Sequence, residues 1–325
     1  MKDWTLGDVK DWTQTARARL LGWQTAGGGW GYRPDATPYA EVTALAVLAL
    51  CAYDEGVPDA ARAGARWLET LQSPDGSVGL TPDLREPSWC TPLAALAWMA
   101  LEEHPGAQDR ALAWLARQAG VGQQDPEGLV GHDPTLSGWP WVDDTSAWLE
   151  PTAWAVLALA RSGGAPERVR HGVALILDRA IPTGGWNYGN PVVLDTVLRP
   201  QPAPTGLALL ALACAGAPPD PRIRAALAFL QAELPDLGAP QSLALGLLGL
   251  SAWQASASAA APGLEGAFDQ SLRRPDPVLQ TAYLLLGGSP RACRTLGGDA
   301  LEARLAPRPP VASDVDAPSP RSMRR

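Results

Sequence analysis

Residues Gly138 to Ala160 read GWPWVDDTSAWLEPTAWAVLALA. The stretch has two halves. The first sets Trp139, Trp141 and Trp148 around the acidic pair Asp143 and Asp144. The second begins at Glu150-Pro151-Thr152 and continues as an apolar run to Ala160. Proline in a first helical turn loses no needed hydrogen bond, and an acid beside it suits the positive end of the helix dipole. The helix body has no polar face, so it is expected to be buried all round. A polar, aromatic loop feeding a buried helix is a natural place for a site.

The same design recurs along the chain. Apolar runs open at Thr43 (TALAVLAL), Thr91 (TPLAALAWMAL), Thr152 (TAWAVLAL), Thr205 (TGLALLAL), Ser242 (SLALGLLGL) and Thr281 (TAYLLL). They lie roughly 40 to 60 residues apart, the spacing of a repeat architecture. Pro38, Pro92, Pro151, Pro204, Pro240 and Pro277 stand near these starts, as helix-start punctuation. Amphipathic segments alternate with the apolar ones. Asp220 to Glu233 carries Ile223, Ala226, Leu227 and Leu230 at helical spacing. Val9–Leu20, Pro58–Gln72, Gln108–Ala119, Glu167–Ala180 and the short Gly266–Arg273 behave alike. Six helical hairpins bury all their apolar helices only if those form an inner ring with the amphipathic helices outside. The expected fold is therefore all-α, a closed α/α toroid over residues 1–306. Residues 307–325, rich in proline and arginine, are expected to be a disordered tail.

Composition narrows the function. A formal charge of −8 disfavours nucleic acid as a partner. The apolar runs are too short to span a bilayer, and the first residues do not resemble a signal peptide. Cytoplasmic placement with possible peripheral membrane contact is expected. Cys51, Cys90, Cys214 and Cys293 have no pairing pattern and are expected to be reduced and buried. The chain has 14 Trp against 2 Phe, and many of these tryptophans sit in glycine-rich loops, as if lining something.

A finer pattern ties each outer helix to the loop after it. Leu20-x3-Gln24-x3-Gly28-x-Trp30 is one copy, and Gly64-x2-Trp67-Leu68-x3-Gln72-x3-Gly76 is another. Gly172-x2-Leu175-Ile176-x3-Ala180-x3-Gly184-x-Trp186 keeps the spacing, and Phe229-Leu230-x3-Leu234-x3-Gly238 is degenerate. This resembles the QW repeat of squalene–hopene cyclases and the related prenyltransferase and squalene-oxidase repeats, over most of residues 7–290. Only Gln24 and Gln72 keep the glutamine, and Val78 replaces one tryptophan. The resemblance implies an α/α toroid and a terpenoid-cyclase-like protein without a cofactor. The zinc-dependent prenyltransferase branch needs an Asp-x-Cys pair, and none occurs.

In the cyclase branch an Asp-x-Asp-Asp-Thr-Ala motif opens an inner helix, and its middle aspartate is the acid. Aligned on Thr152-Ala153, the three carboxylate positions become Trp148, Glu150 and Pro151. Aligned on Asp143-Asp144-Thr145, they start at Trp141 and place Asp143 in the middle. The first frame is preferred because the apolar helix follows directly. Pro151 would interrupt the helix of the second. The expected catalytic group is Glu150, with Asp143 or Asp144 holding its proton. Trp139, Trp141, Trp148, Trp154, Trp186 and Tyr188 are candidates to line the cavity and steady a cation. Trp30 and Trp186 also fit as structural wedges of the repeat, and Glu41 and Glu150 as helix-start residues facing the dipole. Asp143-Asp144 equally suits a turn.

Two function classes follow. One is an enzyme acting by acid-initiated cyclisation or isomerisation on an apolar isoprenoid. The other is a non-catalytic toroid that binds a lipid or partner at its mouth. A carbohydrate enzyme would need opposed carboxylates, such as Asp143 or Glu150 facing Glu41 or Asp195.

Overall fold

The computed structural model describes residues 10–53, 58–122 and 131–305. The predicted tail, 307–325, lies outside them. Six apolar helices form the inner ring: α2 (Ala40–Cys51), α4 (Thr91–Leu101), α6 (Leu149–Ser162), α8 (Pro202–Cys214), α10 (Pro240–Ala252) and α12 (Pro277–Gly288). Each packs on the next, and α12 returns to α2, so the ring is closed. The amphipathic helices α1 (Lys10–Gly22), α3 (Asp59–Thr70), α5 (Pro105–Arg117), α7 (Pro166–Asp178), α9 (Pro221–Glu233) and α11 (Gly263–Ser271) lie outside it. The fold is the all-α toroid that the alternation predicts. Among the described residues no helix is long and apolar enough to cross a membrane. Cys90, Cys214 and Cys293 are buried and Cys51 is half-buried; all four are free thiols.

The repeated threonines have a physical reason. Backbone N–H groups of Trp30, Val78, Trp139 and Trp186 donate to the hydroxyls of Thr43, Thr91, Thr152 and Thr205 at 2.8–2.9 Å. Each bond fixes the incoming loop to the first turns of an inner helix. The indole N–H groups of Trp30, Trp139 and Trp186 donate to Leu20, Leu115 and Ile176 carbonyls in the preceding outer helices. Where Val78 replaces the tryptophan, Trp98 of α4 reaches back instead and donates to Ala65 of α3 at 3.1 Å. The two glutamines act alike. Gln24 donates to the Gly28 and Ala60 carbonyls, and Gln72 to those of Gly76 and Ala107. Each thus joins its own turn to the start of the next outer helix. Gly76 at φ +99° shows why glycine is needed there: a Cβ would lie 2.1 Å from the Arg110 carbonyl oxygen.

Thr152→Val tests this clasp. It keeps the shape and leaves the buried Trp139 N–H without an acceptor, which should cost about 1–3 kcal/mol. Urea unfolding checks it; an unchanged midpoint would mean the clasp is not structural.

One element was not foreseen. α13 (Ala292–Leu305) follows the last hairpin and touches all six inner helices. It meets them where they end. Ser289 donates to the Ala52 carbonyl after α2, and Arg161 at the end of α6 donates to the Thr295 carbonyl. Gln254, just after α10, donates to the carbonyls of Arg304 and Leu305. The helix bends at Gly298, whose φ of 53° and ψ of −148° are non-helical. α13 therefore closes one end of the toroid. The other end, where the inner helices begin, carries the long loops.

Candidate functional site at the mouth of the toroid

The threonine clasp sets a register. Glu41 stands two residues before Thr43, and Glu150 two before Thr152. Equivalent positions on α2 and α6 therefore carry the two acids at one level of the ring. Both are buried, at 8% exposure. Burial raises each carboxyl to about 7, outweighing the helix dipole that favours the charged form. After burial, the charge of Glu41 is what most raises Glu150. For Glu41 the charge that raises it after burial is that of Asp276, at the start of α12.

Aromatic groups enclose them. Tyr32 donates to Glu41 Oε2 at 2.5 Å and packs on Tyr39 with ring centroids 5.1 Å apart. Trp154 and Tyr283 are wholly buried. Trp154 lies one turn below Glu150 on α6 and eases its charge, though its Nε1 makes no hydrogen bond. Tyr283 feels Glu41, Glu150, Tyr188 and Tyr32 together, and its hydroxyl also lacks a partner. Tyr188 is 37% exposed, and burial and Glu150 push its hydroxyl up to about 12. Tyr32, Tyr283 and Asp276 are site members that the sequence reading missed. Glu41, in that reading a helix-start residue or a carboxylate opposed to Glu150, joins them.

The two loops before α6 and α8 meet here. A Cβ on Gly189 would strike the Trp148 ring at 2.6 Å, and one on Gly131 would strike Val192 at 2.4 Å. The second loop carries a short antiparallel hairpin, Val192–Val193 with Thr196–Val197, absent from the sequence reading. Between the loops lies a crevice of about 160 Å³, lined by His132, Leu136, Trp148, Arg179, Gly189 and Asn190 among others. Trp148 is 42% exposed at this lip.

Other candidates lie elsewhere. Asp143 and Asp144 are exposed on a turn, with Asp144 at φ 61°. Asp143 accepts from the Gln118 side chain. The groups that act on Glu150 are Glu41 and Trp154, so the aspartates do not hold its proton. This corrects the expected pairing. Solvent is the physical reason: the polar turn Asp143-Asp144-Thr145 satisfies itself in water and stays outside. Trp139 and Trp186 are wedges between repeats, buried and hydrogen-bonded to outer helices, and not part of the mouth. Trp141 is half-buried and meets Trp89 edge to face at 4.9 Å. Asp195 is exposed in the hairpin turn.

No protein-family model matches the chain, and no curated protein matches it. Solved structures do. The apo structure of the type II terpene cyclase MstE from Scytonema superposes with a TM-score of 0.61, covering 90% of this chain and 100% of that one at 17% identity. A variant of MstE in complex with its substrate, geranylgeranyl dihydroxybenzoate, gives 0.61 over 90% of this chain and 99% of that one, also at 17% identity. A protein from Actinoplanes gives 0.57 over 89% and 99% at 18% identity. At such identities the likeness is one of fold: this chain has the α/α toroid seen in type II terpene cyclases.

Proposed function

We propose that this is a terpenoid-cyclase-like enzyme that protonates an apolar isoprenoid at the toroid mouth, with Glu150 as the acid. The observation that carries the reading is the Glu41–Glu150 pair. At neutral pH a carboxyl near 7 is partly protonated, while its neighbour's charge resists loss of that proton. Such a group can donate as general acid. The O–H bond of Glu150 breaks, a C–H bond forms on one alkene carbon, and the other carbon becomes cationic. Loss of a proton from a neighbouring carbon restores a double bond, and proton return from solvent restores Glu150. Proton loss from the first cation gives isomerisation. Where a second double bond of the substrate first attacks the cationic carbon, its π pair forms a C–C bond that closes a ring. The new cation then loses the proton instead, and neither route needs a cofactor. The faces of Trp154, Tyr188 and Tyr283 supply electron-rich surface for the cation. Trp148 and Trp141 at the rim fit contact with the rest of the chain. The complexes of MstE with an isoprenoid agree with a ligand of this class.

A second reading has its own support. Trp154 and Tyr283 fill the space below the acids and α13 closes the far end, which suits a toroid that only holds a lipid at its lip. Mass spectrometry of lipids extracted from the purified protein, before and after incubation with polyprenyl compounds, separates the two. Cyclised or isomerised products support the enzyme. Intact lipid recovered without conversion supports the binding protein.

A further inference from the structure

Glu41 and Glu150 occupy equivalent positions of equivalent helices, yet only one of them can keep the proton that the proposed reaction uses. Their partners differ. Glu41 Oε2 accepts from the Tyr32 hydroxyl at 2.5 Å. Tyr32 sits in the loop before α2, its ring fixed against Tyr39. Glu150 has only the Trp154 indole beneath it, which favours its charged form without reaching full hydrogen-bond geometry. A hydroxyl donating to a carboxylate favours the ionised form, and a carboxylate next to a second carboxyl favours protonation of that second one.

Of the other groups around the pair, one opposes this asymmetry: Asp276 raises Glu41 and so works against its ionisation. Cys90, at the start of α4, touches Glu41 and stays a neutral thiol because burial raises it. Tyr188 lies near Glu150 and Tyr283 near both acids, each a neutral phenol pushed up by burial. Among the described residues no Lys, Arg or His acts on either carboxyl. Tyr32 itself stays protonated, because burial and Glu41 both raise it. Two donors favour a charged carboxyl, Tyr32 on Glu41 and Trp154 near Glu150. Only Tyr32 makes a full hydrogen bond, and it favours an ionised Glu41.

We infer that Tyr32 is a positioning residue: by donating to Glu41 it holds that carboxyl as the anion and so fixes the pair's single proton on Glu150. The inference rests on the reading of Glu150 as the acid, and it adds a residue from outside the acidic motif. No proton leaves Tyr32 at any stage. It decides only which carboxyl carries the one that is transferred.

The test reads the protein, not the product. Side-chain carboxyl carbons of 13C-glutamate-labelled full-length chain are followed by NMR from pH 4 to 9, with Glu41→Gln and Glu150→Gln supplying the assignments. In the parent, Glu41 should ionise first and Glu150 should keep the last proton. In Tyr32→Phe the Glu41 titration should rise by about one pH unit or more, a tenfold change in its protonation, and the order should close up or reverse. A parent in which Glu41 keeps the last proton overturns the inference, and needs no folded Tyr32 variant. So does a folded Tyr32→Phe with both titrations unmoved. In Glu41→Gln, Glu150 should ionise at lower pH; an unshifted Glu150 overturns the coupling. The two proposals fail separately. A protein without turnover but with this titration order refutes the enzymatic reading alone. Turnover with the proton on Glu41 refutes the role of Tyr32 alone.

Discussion

Replacing Glu150 with glutamine is expected to lower the turnover of an isoprenoid that the parent converts by about 100- to 10,000-fold, with the fold intact. Glutamine keeps the shape and removes the transferable proton. The same variant has a second signature in stability. A carboxyl raised from 4.5 to about 7 on folding binds more protons in the folded state than in the unfolded one between those values. Its stabilising contribution is complete below the unfolded value and is lost as pH rises through the folded one. The parent should therefore lose stability between about pH 4.5 and 7. Glu150→Gln removes one source of that loss and should be more stable than the parent at pH 8, by on the order of 2–3 kcal/mol. A solvated helix-start residue predicts the opposite sign: its loss would cost roughly 0.3–1 kcal/mol. Urea unfolding at pH 5 and pH 8 decides between these, and unaltered turnover in the variant would remove Glu150 from the mechanism.

In the sequence Glu150 stands out as a candidate acid, while Glu41 reads mainly as a helix-start residue, or as its opposed partner only in a carbohydrate enzyme. Both precede a repeat threonine by two residues, and the shared placement suggested a common helix-capping habit. In a ring the same fact means something else. Equivalent positions of different repeats lie at one level and face one axis, so two acids in register are brought together. Linear spacing does not show this until the ring is closed. Asp143-Asp144-Thr145 misled in the other direction. It resembles the acidic motif in letters, but it lies a few residues before α6 begins and is not at the helix start, and Asp143 finds its partner in an exposed turn. The hairpins themselves were readable because two signals agreed, a period of apolar residues and a hydroxyl at each inner start. The hydroxyls of Thr43, Thr91, Thr152 and Thr205 turn out to clasp the preceding loop. α13 left no such trace. Its sequence, ACRTLGGDALEARL, has a glycine pair at its bend and only a few apolar residues. It is held by closing the ring's end, a tertiary cause with no local period.

The tryptophans separate into two kinds, and their alanine variants should separate by stability. Trp186 has no exposed surface. Its backbone N–H binds Thr205 and its indole N–H binds the Ile176 carbonyl at 2.6 Å. Trp186→Ala removes a large buried side chain between α7 and α8, and leaves that carbonyl without its donor. The expected loss is about 3–5 kcal/mol, enough to consume much of a domain's typical stability of roughly 5–15 kcal/mol. Trp148 stands at the lip of the mouth with 42% of its surface exposed, against Gly189 of the opposite loop. Trp148→Ala breaks no side-chain hydrogen bond in the structure and opens space toward solvent, so its cost should stay near or below about 1 kcal/mol. On the proposed reading its effect should appear in ligand retention, because Trp148 stands exposed at the lip next to the Tyr188–Gly189 turn. Denaturant midpoints compare the two variants, and lipid extraction follows Trp148→Ala. Equal destabilisation by both would make Trp148 a structural wedge as well. A stable Trp186→Ala that loses its lipid would place Trp186 in the binding surface, against the packing described here.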